Sequence, residues 1–75
     1  MIADGPAPIP PESSPGARAF GLTIRGRRIG AGMTLRACAE RMGVSMTRLS
    51  AIEMGAADMT ESEREAFEIA IGGRP

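Results

Sequence analysis

The sequence has no histidine, lysine, tryptophan or tyrosine, only two phenylalanines, and a single cysteine. Each absence closes a class of function. Without histidine there is no Ser–His or Cys–His pair to activate a nucleophile, and no Cys/His metal site. The lone Cys38 cannot form an intramolecular disulfide. Two phenylalanines and no larger aromatic leave little with which to stack on single-stranded bases. No apolar run approaches the ~20 residues that span a bilayer. The N-terminus lacks the basic start and apolar core of a signal peptide. These absences predict a cytoplasmic protein that is not an enzyme, carries no cofactor or metal and does not enter a membrane. With 75 residues the chain makes one domain, and a domain of that size buries only about 60% of its unfolded surface. A binding module fits such a body better than a deep catalytic cleft.

Nine basic and nine acidic residues cancel to a net charge of zero, so no overall field draws the protein to nucleic acid. The distribution is less even. All the basic residues are arginine, and most of them lie from Arg18 to Arg48. The acids concentrate further on, at Glu53, Asp58, Glu61, Glu63, Glu65 and Glu68. The middle of the chain can face phosphates while the back faces away.

Pro6, Pro8, Pro10, Pro11 and Pro15 crowd the start of the chain. Proline lacks an amide donor and fixes its own backbone, so residues 1–16 read as a disordered, Pro-rich arm. Residues 17–73 read as the folded domain. Phe20, Ile24 and Arg27 or Arg28 follow a helical spacing that predicts a first helix over 17–29, weakened by Gly21 and Gly26. Thr34 starts a second helix over 34–42, with Leu35, Cys38, Ala39 and Met42 on its apolar face. Gly43 stops it. Ser45 caps a third helix over 45–53, with Leu49 and Ile52 buried, and Gly55 ends it. Thr60 and Glu63 form a capping box for a fourth helix over 61–71, which buries Ala66, Phe67, Ala70 and Ile71. Nothing reads as a strand, so the fold class is all-α.

The second and third helices meet the demands of a helix-turn-helix. Ala39 is the small residue where the helices touch, and Gly43 is the turn glycine. Cys38, Met42, Val44, Leu49 and Ile52 are the buried set. The stretch from Met33-Thr34-Leu35 through Ala39-Glu40-Arg41-Met42-Gly43-Val44-Ser45 to Leu49-Ser50-Ala51-Ile52-Glu53-Met54-Gly55 resembles the Cro/XRE (phage repressor-like) helix-turn-helix family. Ile24-Arg25-Gly26-Arg27-Arg28 is similar to that family's first helix, and the resemblance runs from about Phe20 to Gly72.

The resemblance implies a small four-helix, lambda-repressor-like domain that binds double-stranded DNA as a transcriptional regulator, a homodimeric repressor of phage or mobile-element type. It implies that the helix over 45–53 enters the major groove, with Met46, Thr47 and Ser50 facing base edges. Arg48 would reach a phosphate or a base edge. Thr34 and Arg36 would contact the DNA backbone. Arg28 and Glu53 match a pair that forms a structural salt bridge in the family. Leu35 stands where the family often has glutamine, Arg27 where it has leucine, and Met46 where it often has glutamine, arginine or serine. Methionine can touch a thymine methyl but reads no donor–acceptor pattern.

Several residues have plainer readings. Cys38 on an apolar face is a small hydrophobe before it is a redox sensor. Glu61, Glu63, Glu65 and Glu68 read as a solvated face near the positive end of a helix. Of Arg25, Arg27 and Arg28, at least one is expected on a phosphate. The alternative function is a protein-interaction module that keeps the helix-turn-helix fold and binds a protein partner, such as host transcription machinery. Net neutrality, Leu35 and Met46 favour that alternative, and the arginine-rich middle opposes it.

Overall fold

Capping hydroxyls and glycines decide where each helix starts and stops. The computed structural model describes residues 15–72, and among them it holds four helices and no strand. These are α1 (Pro15–Gly30), α2 (Leu35–Met42), α3 (Met46–Glu53) and α4 (Glu61–Gly72). The expected disorder of the proline-rich arm falls, up to residue 14, outside the described residues. The domain's first helix begins two residues ahead of Ala17, at Pro15. The first residue of a helix has no intrahelical use for its amide hydrogen, so proline opens a helix without losing a bond.

Thr34 and Ser45 sit in extended backbone just before α2 and α3. Their hydroxyls accept the amides of Ala37 and Arg48, each at 3.0 Å. At the far end of α2, Gly43 adopts φ +77°. Its amide donates to the Glu40 carbonyl at 3.1 Å, and the Val44 amide reaches back to Ala39 at 3.0 Å. These two bonds satisfy carbonyls that the helix end would leave open, and they turn the chain sharply toward α3. Ala56 repeats the device after α3, donating to Ala51 at 2.8 Å around Gly55.

The core collects Ile24 of α1, Cys38, Ala39 and Met42 of α2, Leu49 of α3, and Phe67 and Ala70 of α4, with Ile52 fully buried as well. Helix α4 packs on α2, α1 packs on α3, and α2 packs on α3. Val44, Ala66 and Ile71 lie half-buried at the margin of the core rather than inside it. Cys38 is completely buried, its Sγ 3.8 Å from the Met42 sulfur. Burial pushes its thiol pKa up, so the group stays protonated and acts as packing.

Gly21 corrects the sequence reading. It is buried, and a Cβ there would meet the Glu53 carbonyl oxygen and come within 2.5 Å of the Ile52 carbonyl oxygen. The glycine that weakens α1 as an isolated helix is what lets its backbone lie against the end of α3. Gly55 does the same from the other side, since a Cβ on it would come 2.8 Å from the Arg18 Cα.

A pair of substitutions separates these roles. Gly21→Ala should force α1 off α3 and cost about 1–3 kcal/mol, as overpacking does. Gly26→Ala meets nothing within 4 Å and should stabilise by up to about 1 kcal/mol through helix propensity. Thermal unfolding should show opposite shifts of several degrees, since ~1 kcal/mol moves the midpoint of a small domain by about 4–8 °C. Equal shifts would contradict the close backbone approach.

Candidate nucleic-acid interface

Three arginine–glutamate pairs tie the helices to one another, α1 to α3, α1 to α4, and α3 to the α4 that follows it. Arg28 and Glu53 form a buried, two-pronged pair, Nε to Oε2 at 2.6 Å and Nη2 to Oε1 at 3.1 Å. The remaining Nη1 of Arg28 donates to the Met33 carbonyl at 2.9 Å. One guanidinium therefore joins α1, the α1–α2 turn and the end of α3. Planar, forked donors suit this task, and hydrogen bonding to a charged partner roughly doubles the strength of each bond.

Arg48, expected on a phosphate or base edge, is committed elsewhere. Its Nε donates to Glu63 Oε2 at 2.8 Å and its Nη2 to Glu63 Oε1 at 2.9 Å. The same Nη2 donates to the Asp58 carbonyl at 2.6 Å. Arg48 thus ties the first turn of α3 to the start of α4. The reason is that Glu63 is already fixed by its capping box. The Thr60 amide donates to Glu63 Oε1 at 2.8 Å, and the Glu63 amide donates to the Thr60 hydroxyl at 3.0 Å. A carboxylate held in place and half-buried beside α3 captures the nearest guanidinium.

The third pair also revises an expectation. Arg27 grips Glu68 at 2.7 and 2.8 Å and lies over the Phe67 ring, 5.5 Å from its centroid. Glu63 therefore leaves the exposed face expected of all four, whereas Glu61, Glu65 and Glu68 stand on it, Glu68 with Arg27 as its partner. Of Arg25, Arg27 and Arg28, only Arg25 has no ion pair with a described residue. Arg41 donates to the Ala70 carbonyl at 3.2 Å, closing the end of α4.

What remains open is the outer face of α2 and α3. Thr34 and Arg36 are exposed at the start of α2, and Met46 and Thr47 are exposed at the start of α3. Ser50 is half-buried, its hydroxyl donating to the Met54 sulfur at 3.7 Å. Leu35, Met46, Thr47, Ser50, Ala51 and Met54 line a shallow groove of about 440 Å³ along this face. An adjoining depression shares Leu35, Ser50 and Met54 with it and adds Arg25. The groove was not anticipated from sequence. Leu35, half-buried in the first turn of α2, and Met54, exposed just past the end of α3, are the signal for it. Among the described residues no cluster of His, Cys, Asp or Glu could hold a metal ion. None of the described helices is long and apolar enough to cross a membrane.

The Glu63 carboxyl gives the interface a pH signature. Its bonds to Arg48, reinforced by the Thr60 amide, hold its pKa at about 2 against an ordinary 4.5. A carboxyl whose folded pKa is depressed stabilises the fold fully above its unfolded pKa. That contribution fades as pH falls from 4.5 toward 2. Wild type should therefore be more stable than Glu63→Gln at neutral pH, with the gap narrowing through that window. Denaturant titrations at several pH values check it, and a gap that stays constant would contradict the pairing.

Comparison with known proteins agrees with this geometry. A family model described as a helix-turn-helix domain matches residues 19–67, a span that takes in most of α1, both helices of the motif and the first half of α4. No curated protein and no solved structure gave a match. With the motif's turn, caps and crossing helices in place, and the family match covering well over half its length, the chain belongs to the helix-turn-helix domain family, the architecture of DNA-binding regulators.

Proposed function

We propose that this chain is a sequence-specific transcriptional regulator of the Cro/XRE kind, a repressor of phage or mobile-element type that places α3 in the major groove of double-stranded DNA. The observation that carries the reading is how charge is used across the fold. Three arginines are matched by Glu53, Glu63 and Glu68. Arg25 and Arg36, like Arg18, Arg41 and Arg64, are exposed with no ion pair to a described residue. Of these, Arg25 borders the outer face beside Leu35, Ser50 and Met54, while Arg36 follows Leu35 in the first turn of α2. A net-neutral protein thereby presents local positive charge where a phosphate backbone would run. Thr34 and Arg36 take the backbone contacts, and Met46, Thr47 and Ser50 face the bases. Arg48 drops out of the contact set. The mechanism is occlusion of a promoter by a homodimer on two half-sites about one helical turn apart.

A second reading rests on the groove itself. Met46 and Met54 are 42% and 69% exposed, and methionines at a mostly apolar surface also suit a protein partner such as a component of the transcription machinery.

Salt titration of binding to duplex DNA separates the two. Arg36→Ala should weaken binding to every sequence alike and lower the log–log salt slope by about 1, the value of one phosphate contact. Arg48→Ala should lower thermal stability and leave the slope of the folded protein unchanged. A wild-type protein with no affinity for any duplex at low salt would overturn the regulator reading in favour of the interaction module.

A further inference from the structure

The proposed recognition face lacks the side chains that read guanine and adenine by paired hydrogen bonds. Bidentate contact to guanine needs an arginine or lysine, and bidentate contact to adenine needs asparagine or glutamine. The whole chain contains no lysine, asparagine or glutamine. The arginine of α3, Arg48, has its Nε and Nη2 held by Glu63 and the Asp58 carbonyl. Arg25 and Arg36 lie on other helices, α1 and α2. What α3 and the residue that caps its end offer instead is an apolar surface: Met46 and Ala51 with Met54, met by Leu35 from α2. The hydroxyls are those of Thr47 and Ser50, and Ser50 is turned toward the Met54 sulfur.

In the major groove the apolar feature that distinguishes one base from the others is the thymine 5-methyl group. Resting on the reading of this chain as a DNA-binding regulator, we propose that α3 selects its site by burying thymine methyl groups against Met46 and Met54, so that the preferred DNA is defined by methyl positions rather than by a donor–acceptor pattern. Charge complementarity favours DNA over other occupants of the groove. Arg25, exposed and with no ion pair to a described residue, lines the adjoining depression with Leu35, Ser50 and Met54, so a free cation borders the apolar floor as a polyanion with apolar groups requires. The unbranched, rotatable side chain of methionine adapts to a methyl without fixed geometry.

Removing or adding that one carbon tests the proposal without altering any hydrogen-bonding group. The probes are alternating duplexes of about twenty base pairs, two helical turns, made as A·T, A·U, G·C and G·5-methylcytosine. Affinity for the full-length chain should be higher for A·T than for A·U and higher for G·5-methylcytosine than for G·C. Each methyl buried should contribute about fourfold. Met54→Ala, which removes a side chain with little packing role, should bring both ratios toward one while leaving the melting temperature and the salt slope unchanged. Equal affinity for methylated and unmethylated members of both pairs, with a steep salt slope, would overturn the methyl readout and leave DNA binding standing. No affinity for any duplex at low salt would overturn both.

Discussion

A single buried guanidinium sets the geometry on which the rest of this molecule depends. Arg28 reaches from the last turns of α1 to Glu53 at the end of α3, and from there to the Met33 carbonyl just ahead of α2. Both side chains are about nine-tenths buried. Separating such a pair by removing one partner leaves an uncompensated charge in the interior, at a cost of about 3–5 kcal/mol. That is a large share of the 5–15 kcal/mol that holds a typical domain together. The pair forms because the two backbones come close enough, and they do so because Gly21 and Gly55 carry no side chains at the contact. Backbone approach and ion pair therefore act as one constraint. Together they fix which side of α3 faces inward, and so which side is presented outward.

The ion pairs also decide what the protein can show to a partner. Basic and acidic residues are equally matched overall, yet only some of them pair. Arg27, Arg28 and Arg48 are absorbed by glutamates of α3 and α4. Arg25 and Arg36 remain unmatched among the described residues near the α2–α3 face. Of the acids along α4, Glu61, Glu65 and Glu68 are exposed, and Glu68 alone of these is paired. On the proposed reading, phosphate contacts would come from cations left over after internal neutralisation rather than from excess charge. Attraction to DNA from a distance would be weak, and contact would depend on short-range fit.

Much of the fold was legible in the sequence because its signals are local. A hydroxyl three residues ahead of the amide it caps, at Thr34, Ser45 and Thr60, is visible in one dimension, as is a glycine at the end of an apolar stripe. The Arg28–Glu53 pair was legible only through resemblance to a family. The partners of Arg27 and Arg48 were not legible. Glu68 lies 41 residues from Arg27, and nothing in the spacing of either helix says that their faces meet. Arg48 looked like a recognition-helix cation because the family resemblance put it there, and the return of the chain through Asp58 to Glu63 could not be read. Gly21 was misread for a related reason: helix propensity is a property of one helix, and its value here comes from a second one.

The central claim is that the outer face of α2 and α3, not α4, meets DNA. Methionine methyl resonances report on it directly, because Met42 is buried in the core, Met46 and Met54 are exposed on α3 and just after it, and Met59 precedes α4. Titrating the methyl-labelled protein with a duplex should shift Met46 and Met54 together while Met42 and Met59 stay in place. Shifts largest at Met59, with Met46 and Met54 unmoved, would contradict the account.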